Sequence, residues 1–590
     1  MKNRWIAFIL TLIMVFSLSA AAGADGASEE LLAKIDNAAW QYNAEDDVYY
    51  QIGISYCGKP ADANYETLAV FVPGAYMNSA DNGDGTYTCT IDDSAKVGNY
   101  TAATAPIVMP INTPGYSAMN ALTSYSSFTE YTGEGFVYIH AGCRGRDAGA
   151  PAGVTDLKAA VRYIRYSADT IPGDAERIFT FGMSGGGAQS ALMGSAGDSD
   201  LYDAYLKEIG AVEGFSDAVL GAMCWCPITN LDTADAAYEW MMGTTRSGLS
   251  DEEQQISDRL AAAFAAYINA AGIQDPDGNV LTLSESEEGI YQAGSYYDYM
   301  KSVIENSLDH FLADTEFPYD ASSSSDGEMP GFGGGMQRDG NGPDGNFEQV
   351  PGNGGPNAAG RDNIPSEVSF EDIDDITRNE TSDGVSISGT YETPQDYIDA
   401  LNQNGEWVSY DASSNSVKIT SIRAFVAAFK SASKNLGAFD QLDAGQGENT
   451  LFGYGDGTGA HFDSTLADIL NEIGSSYAED YSADLSKPDS EGNTADYRLN
   501  MYTPLYYLLE SSDGYGTGTV AKYWRIRTGI AQSDCALSTE MNLELALRNY
   551  DAVSSVDFET VWGAGHTQAE RVGNSTENFI EWVNDCLTEQ

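Results

Sequence analysis

The sequence predicts an α/β fold with a mostly parallel central sheet and a large inserted lid. Three observations predict it. A G-x-S-x-G pentapeptide, Gly182 to Gly186, stands between a short apolar run (Ile178 to Phe181) and a small-residue helix (Ala188 to Gly194). A late strand pattern, Val556 to Trp562, ends in Gly563-Ala564-Gly565-His566. Between these blocks, over residues 245–510, runs of the parallel-sheet type stop and helical periodicity takes over.

Residues 1–24 read as a secretory signal: Lys2 and Arg4, an apolar stretch from Trp5 to Leu18, then Ala22-Gly23-Ala24 as a cleavage site. The mature chain is therefore expected outside the cell, and no later segment is apolar enough to span a membrane. A helix is expected over 28–39, then strands at 47–57, 66–73 and 86–91. The turn 81–85 (DNGDG) lacks the spaced carboxylates of a calcium loop. Another strand is read at 107–111, and a clear apolar one at 135–140. Apolar residues at Val154, Leu157, Val161 and Ile164 give a helix over 154–166. The strand 218–226 and a helix over 233–242 complete the first part of the core, residues 25–244.

The lid, 245–510, carries expected helices at 250–270, 287–312, 394–403, 420–433 and 464–476. Inside it, residues 327–360 hold 12 glycines in 34 positions, a composition that cannot bury a core. The second part of the core, 511–590, runs strand (522–527), helix (538–548), strand (556–562), helix (574–587).

Strand, tight turn and helix around Ser184 is the context of a nucleophile elbow, and the whole is the plan of the α/β-hydrolase fold. Glycines two residues either side of the serine remove collisions with the neighbouring backbone. The general base comes last in this fold. Of four histidines, His140, His310, His461 and His566, only His566 follows a late strand in a glycine-rich loop. Asp534 is the carboxylate of the loop after the strand 522–527, so the expected triad is Ser184, Asp534, His566, with Asp551 and Asp557 as fallbacks. The position three past Gly529, where many hydrolases carry the acid, is Gln532. The backbone N–H of Gly185 and one near Cys143, in the loop after 135–140, are the expected oxyanion donors.

The net charge is −59, from 29 basic and 88 acidic residues. Such a surface repels nucleic acid and anionic membranes and suits a solvated exported enzyme. Seven cysteines, an odd number, are not a disulfide framework. No spacing of metal ligands and no cofactor motif is present.

Two blocks resemble the bacterial tannase group of α/β-hydrolases. One comprises GCRGRD (142–147), DLKAAVRYIR (156–165), the elbow and CPITNLDTADAAYEW (226–240). The other comprises KNLGAFD and GENTLFG in the lid, WRIRTGIAQSD and VWGAGH. The resemblance implies a serine carboxylesterase without a cofactor, acting on small phenolic acid esters, galloyl esters foremost. It also implies that Lys434 and Glu448 grip the ring hydroxyls. The family pattern has two aspartates two residues apart, one catalytic and one holding substrate; here those places hold Gln532 and Asp534. If Asp534 serves the triad, Gln532 takes the substrate contact. If Asp534 holds substrate, the acid comes from elsewhere. A feruloyl or general aryl or alkyl esterase, and a catalytically inactive hydrolase fold used for binding, are the other expectations.

Overall fold

The computed structural model describes residues 32–588 apart from 287–288, 322–384 and 431. The expected signal (1–24) and the glycine-rich segment (327–360) lie outside the described residues.

The central sheet has nine strands: β1 (Gln41–Asn43), β2 (Val48–Ser55), β3 (Thr67–Pro73), β4 (Ile107–Ile111), β5 (Val137–Ala141), β6 (Ile178–Met183), β7 (Gly221–Trp225), β8 (Tyr523–Gly529) and β9 (Ser555–Val561). Their spatial order is β1-β2-β3-β5-β4-β6-β7-β8-β9. The first three strands and β5 pair antiparallel, while every pair from β5 onward is parallel. Parallel strands need helical crossovers that cover both faces, so the central strands are mostly buried, β7 and β8 from end to end. β7 is apolar end to end (GAMCW). β8 breaks that rule with Arg525 and Arg527, and the charges are met: Arg525 forms a bidentate pair with Glu570, and Arg527 pairs with Asp557.

The first long helix, α1 (Ala152–Tyr166), packs its apolar stripe on the sheet. Its buried Lys158 donates to Asp217 at 2.7 Å, and Arg162 joins the same carboxylate at 2.8 Å. The elbow helix α2 (Gly185–Ser195) is buried along its whole length.

Between β7 and β8 no described residue joins the central sheet. Helices α3 (Ala234–Met242), α4 (Asp251–Ala271) and α5 (Ser295–Asp314) come first, and three short antiparallel pairs are added at 284–293, 319–391 and 408–419. Two expectations fail locally. The described part of the expected helix 28–39 is not helical, because Asp36 captures the N–H of Ala38 and turns the chain. The expected helix 287–312 begins only at Ser295. Before it, Gln292 donates to the Trp240 carbonyl and Trp240 to that of Tyr291, which hold the segment extended beside α3.

No disulfide forms among the described residues, and all seven thiols are buried. Among the described residues no helix is long and apolar enough to cross a membrane. No group of three or more His, Cys, Asp or Glu side chains there is arranged to hold a metal ion.

Candidate active site

β6, β7, β8 and β9 run parallel with their ends level: Met183 pairs with Trp225, Trp225 with Arg527, and Gly529 with Val561. The residues following those ends share one edge. Ser184 sits there at φ 59°, ψ −122°, a backbone conformation that costs a non-glycine residue about 1–3 kcal/mol. The turn is possible because a Cβ on Gly186 would lie 2.0 Å from the Ile111 carbonyl, and one on Gly182 would lie 2.5 Å from Gly186.

The Ser184 N–H donates to the Trp225 carbonyl at 2.9 Å. The next residue, Cys226, donates its thiol to the Thr567 carbonyl at 3.2 Å. The elbow and the histidine loop thus flank the same two residues. Gly529 admits that loop: a Cβ there would meet the Gly565 carbonyl at 1.9 Å. The other histidines are engaged elsewhere, His140 by the Asn120 carbonyl, His310 by Glu559 and His461 by Asp440.

The partner of His566 differs from expectation. Its Nδ1 lies 2.7 Å from Gln532 Oε1 and 3.7 Å from Asp534 Oδ2. Asp534 is half exposed and beyond hydrogen-bond reach. Gln532, expected at the substrate if Asp534 served the triad, is instead turned inward onto the ring. It is 3% exposed, and its Nε2 donates to Thr528 Oγ1 at 2.7 Å and Glu540 Oε1 at 2.6 Å. The loop is clamped in this position: Lys430 Nζ donates to the Gln532 carbonyl, and Ser433 Oγ to that of Ser533. Asp557, a fallback acid, is committed to Arg525 and Arg527. Because Gln532 presents a carbonyl, His566 carries its proton on Nδ1, and Nε2 is left as a base. Burial depresses the imidazole below its ordinary value; Lys434 pushes the same way, and Asp534 opposes both.

The loop after β5, expected to carry the second oxyanion donor, does not lie against the elbow. The Cys143 N–H is already spent on the Met119 carbonyl at 2.9 Å. Moreover, the strand beside β6 is β4, not β5, so the loop against the elbow is 112–116. That loop packs on the turn: a Cβ on Gly185 would meet Thr113 O and Tyr116 N at 2.5 Å, and one on Gly186 would meet Thr113 N at 3.3 Å. Arg146 braces it by donating to the Gly115 carbonyl at 2.9 Å.

Lys434 and Glu448 arrive on a lid segment fixed by two buried aspartates. Asp235 of α3 accepts the N–H groups of Phe439 and Asp440. Asp440 in turn accepts from His461, Asn449, Phe462 and Asp463. Lys434 Nζ then lies 3.8 Å over the Phe439 ring, with its charge felt at His566. Glu448 is buried in the first turn of a short helix (Gly447–Leu451), where its charge reaches Tyr116 of the oxyanion loop. The charge of Lys434 is thus felt at His566 and that of Glu448 at Tyr116.

Sequence reasoning missed loop 112–116, Lys430 and Glu540. The proline-glycine pair after strand 107–111 was the signal for the first. A lone lysine ending AFVAAFK, and a lone acid near the start of a fully buried helix, were the faint signals for the others.

A family model described as BD-FAE matches residues 99–269. Comparison with curated proteins gives no match. Among solved structures, the tannase of Fusobacterium nucleatum is 25% identical with a TM-score of 0.63, covering 92% of this chain and 95% of that one. A tannin acyl hydrolase in complex with ethyl gallate is 25% identical at a TM-score of 0.59, covering 91% and 94%. The tannin acyl hydrolase of Lactobacillus plantarum shares the fold at 24% identity and a TM-score of 0.61, covering 91% and 94%.

Proposed function

We propose that this chain, an α/β-hydrolase related to the bacterial tannase and feruloyl-esterase fold family, is an exported serine carboxylesterase acting on phenolic acid esters, galloyl esters foremost. The observation that supports the reading is that the strained serine and the histidine loop both bond the end of β7, through Trp225 and Cys226, while His566 Nδ1 is taken up by Gln532. Ser184 attacks the ester carbonyl while His566 Nε2 takes its proton. The oxyanion develops between the Gly185 N–H and loop 112–116. His566 returns the proton to the leaving alcohol, and water repeats the cycle on the acyl-enzyme.

Galloyl specificity rests on Lys434 and Glu448, an ammonium and a carboxylate near the site that pair with ring hydroxyls. Asp534, half exposed at 3.7 Å from His566, is the third candidate for that role. The related tannin acyl hydrolase structure with ethyl gallate supports a galloyl acyl group. The test is initial rates on methyl gallate and methyl ferulate, for wild type and Ser184→Ala. Loss of both activities in the variant is expected. An undiminished rate in Ser184→Ala sinks the serine mechanism, and faster ferulate than gallate turnover moves the substrate to feruloyl esters.

A further inference from the structure

The amide at 532 raises a chemical problem. A carboxylate beside a catalytic imidazole does two things: it accepts only, which fixes the tautomer, and it stabilises the imidazolium. A glutamine can turn either end of its amide toward the ring. With NH2 facing Nδ1, the ring proton moves to Nε2, and the base is lost. Something must fix the amide.

Glu540 stands where that fixing is possible. It lies in the helix Leu537–Arg548 and is fully buried. Its Oε1 accepts from Gln532 Nε2 at 2.6 Å, from Thr528 Oγ1 at 3.0 Å and from the Cys535 thiol at 3.1 Å. A carboxylate that collects donors so closely leaves no room for the amide oxygen to face it. On the main-chain side, the buried Lys430 ammonium holds the Gln532 carbonyl at 2.7 Å. Gln532 is thus held at its main-chain carbonyl by Lys430 and at its side-chain NH2 by Glu540, and with the NH2 so engaged its Oε1 faces His566.

We propose that Glu540 is a positioning residue of the hydrolytic reaction: through Gln532 it forces a carbonyl onto His566 Nδ1, so that an amide does the work of the missing acid. The lid takes part as well, since Lys430 follows directly on the lid helix Ile422–Phe429. The inference rests on the serine-esterase reading above. Burial pushes the Glu540 carboxyl up, while the Cys535 and Thr528 hydrogen bonds and the Lys430 charge pull it back; its ionised form polarises the chain Glu540–Gln532–His566, because each hydrogen bond strengthens the next. Asp534 acts on the ring directly from the solvent side and Lys434 opposes it, while Lys430, Cys535 and Cys226 surround Glu540.

The experiment compares Glu540→Gln, Gln532→Ala, their combination, and the exchange Gln532→Glu/Glu540→Gln, with Ser184→Ala alongside. In Glu540→Gln, kcat for methyl gallate is expected to fall about tenfold or more at nearly constant KM, because the amide is no longer forced. The same change in a Gln532→Ala background is expected to cost nothing further. The exchange keeps shape and composition but puts the acceptor-only group on the ring. It is expected to recover kcat to within about threefold of wild type and to raise the acid limb of the kcat/KM profile. With a merely structural glutamate, Glu540→Gln costs as much in the Gln532→Ala background as in wild type. If Glu540→Gln does not fold, the exchange still decides: no recovery or an unmoved limb overturns the proposal. Full activity in Glu540→Gln with none in Ser184→Ala overturns the positioning role and leaves the esterase reading intact. Full activity in Ser184→Ala overturns that reading instead.

Discussion

Replacing Gly529 by alanine tests whether the histidine loop owes its place to one absent methyl group. The added Cβ would lie 1.9 Å from the Gly565 carbonyl oxygen and 2.5 Å from that of Ala564. Ordinary contact begins at 3.4 Å, so the loop must retreat by about 1.5 Å, and His566 retreats with it. A misplacement of roughly 1 Å at a reacting group costs about 10² in rate. Overpacking of this kind typically destabilises by about 1–3 kcal/mol, well short of unfolding a domain this size. The expected result is therefore a folded protein with kcat down about 10²-fold. Gly565→Ala is the matched control, since a Cβ there meets nothing within 4 Å. The assays are initial rates on p-nitrophenyl acetate and methyl gallate, thermal melts, and the rate at which a fluorophosphonate labels Ser184. A folded Gly529→Ala protein with kcat within about twofold of wild type refutes the reasoning, because the loop then needs no such gap.

Three further outcomes are expected. His566 is depressed by burial and by Lys434, so the basic form persists as pH falls, and the acid limb of kcat/KM lies below the ordinary imidazole value of about 6.5. Lys434→Met should move that limb upward and raise KM for methyl gallate about tenfold more than for methyl benzoate; a limb that stays put contradicts the placement of Lys434. Lys158→Ala should lower the unfolding free energy by about 3 kcal/mol, because it strips a buried ammonium from Asp217 and leaves it the Arg162 guanidinium and the Asp198 N–H. Burial alone would raise the Asp217 carboxyl, but the two cations outweigh it and hold it low. The stability it contributes is present above the unfolded carboxylate value and lost as pH falls through the folded one, so acid unfolding of the variant starts at higher pH. Urea midpoints at neutral and acid pH measure both effects, and a neutral-pH loss under about 1 kcal/mol contradicts the burial argument.

Much of the fold was legible because its signals are local. The elbow is written in five consecutive residues, since only glycine at 182 and 186 lets the chain turn that tightly against β4. The strands around it are short apolar runs because parallel strands are covered on both faces. His566 could be found by its position after the last strand and by its glycines. Even the departure at Gln532 was visible as an amide where an acid was expected.

What could not be read was every choice between neighbours in space. The sequence order of strands 107–111 and 135–140 does not say which lies beside the elbow; the crossover swaps them, and with them the loop that packs against Ser184's turn. Asp534 was the reasonable acid by charge, yet clamps from Lys430 and Ser433, about a hundred positions away, turn the loop so that Gln532 faces inward. Nothing local to Gln532 or Glu540 reveals that they touch. The sequence by itself determined which chemistry was possible, because strain, periodicity and glycine are properties of adjacent residues. Only the tertiary structure decided which groups perform it, because hydrogen-bond partners in a buried site are chosen by packing across hundreds of residues.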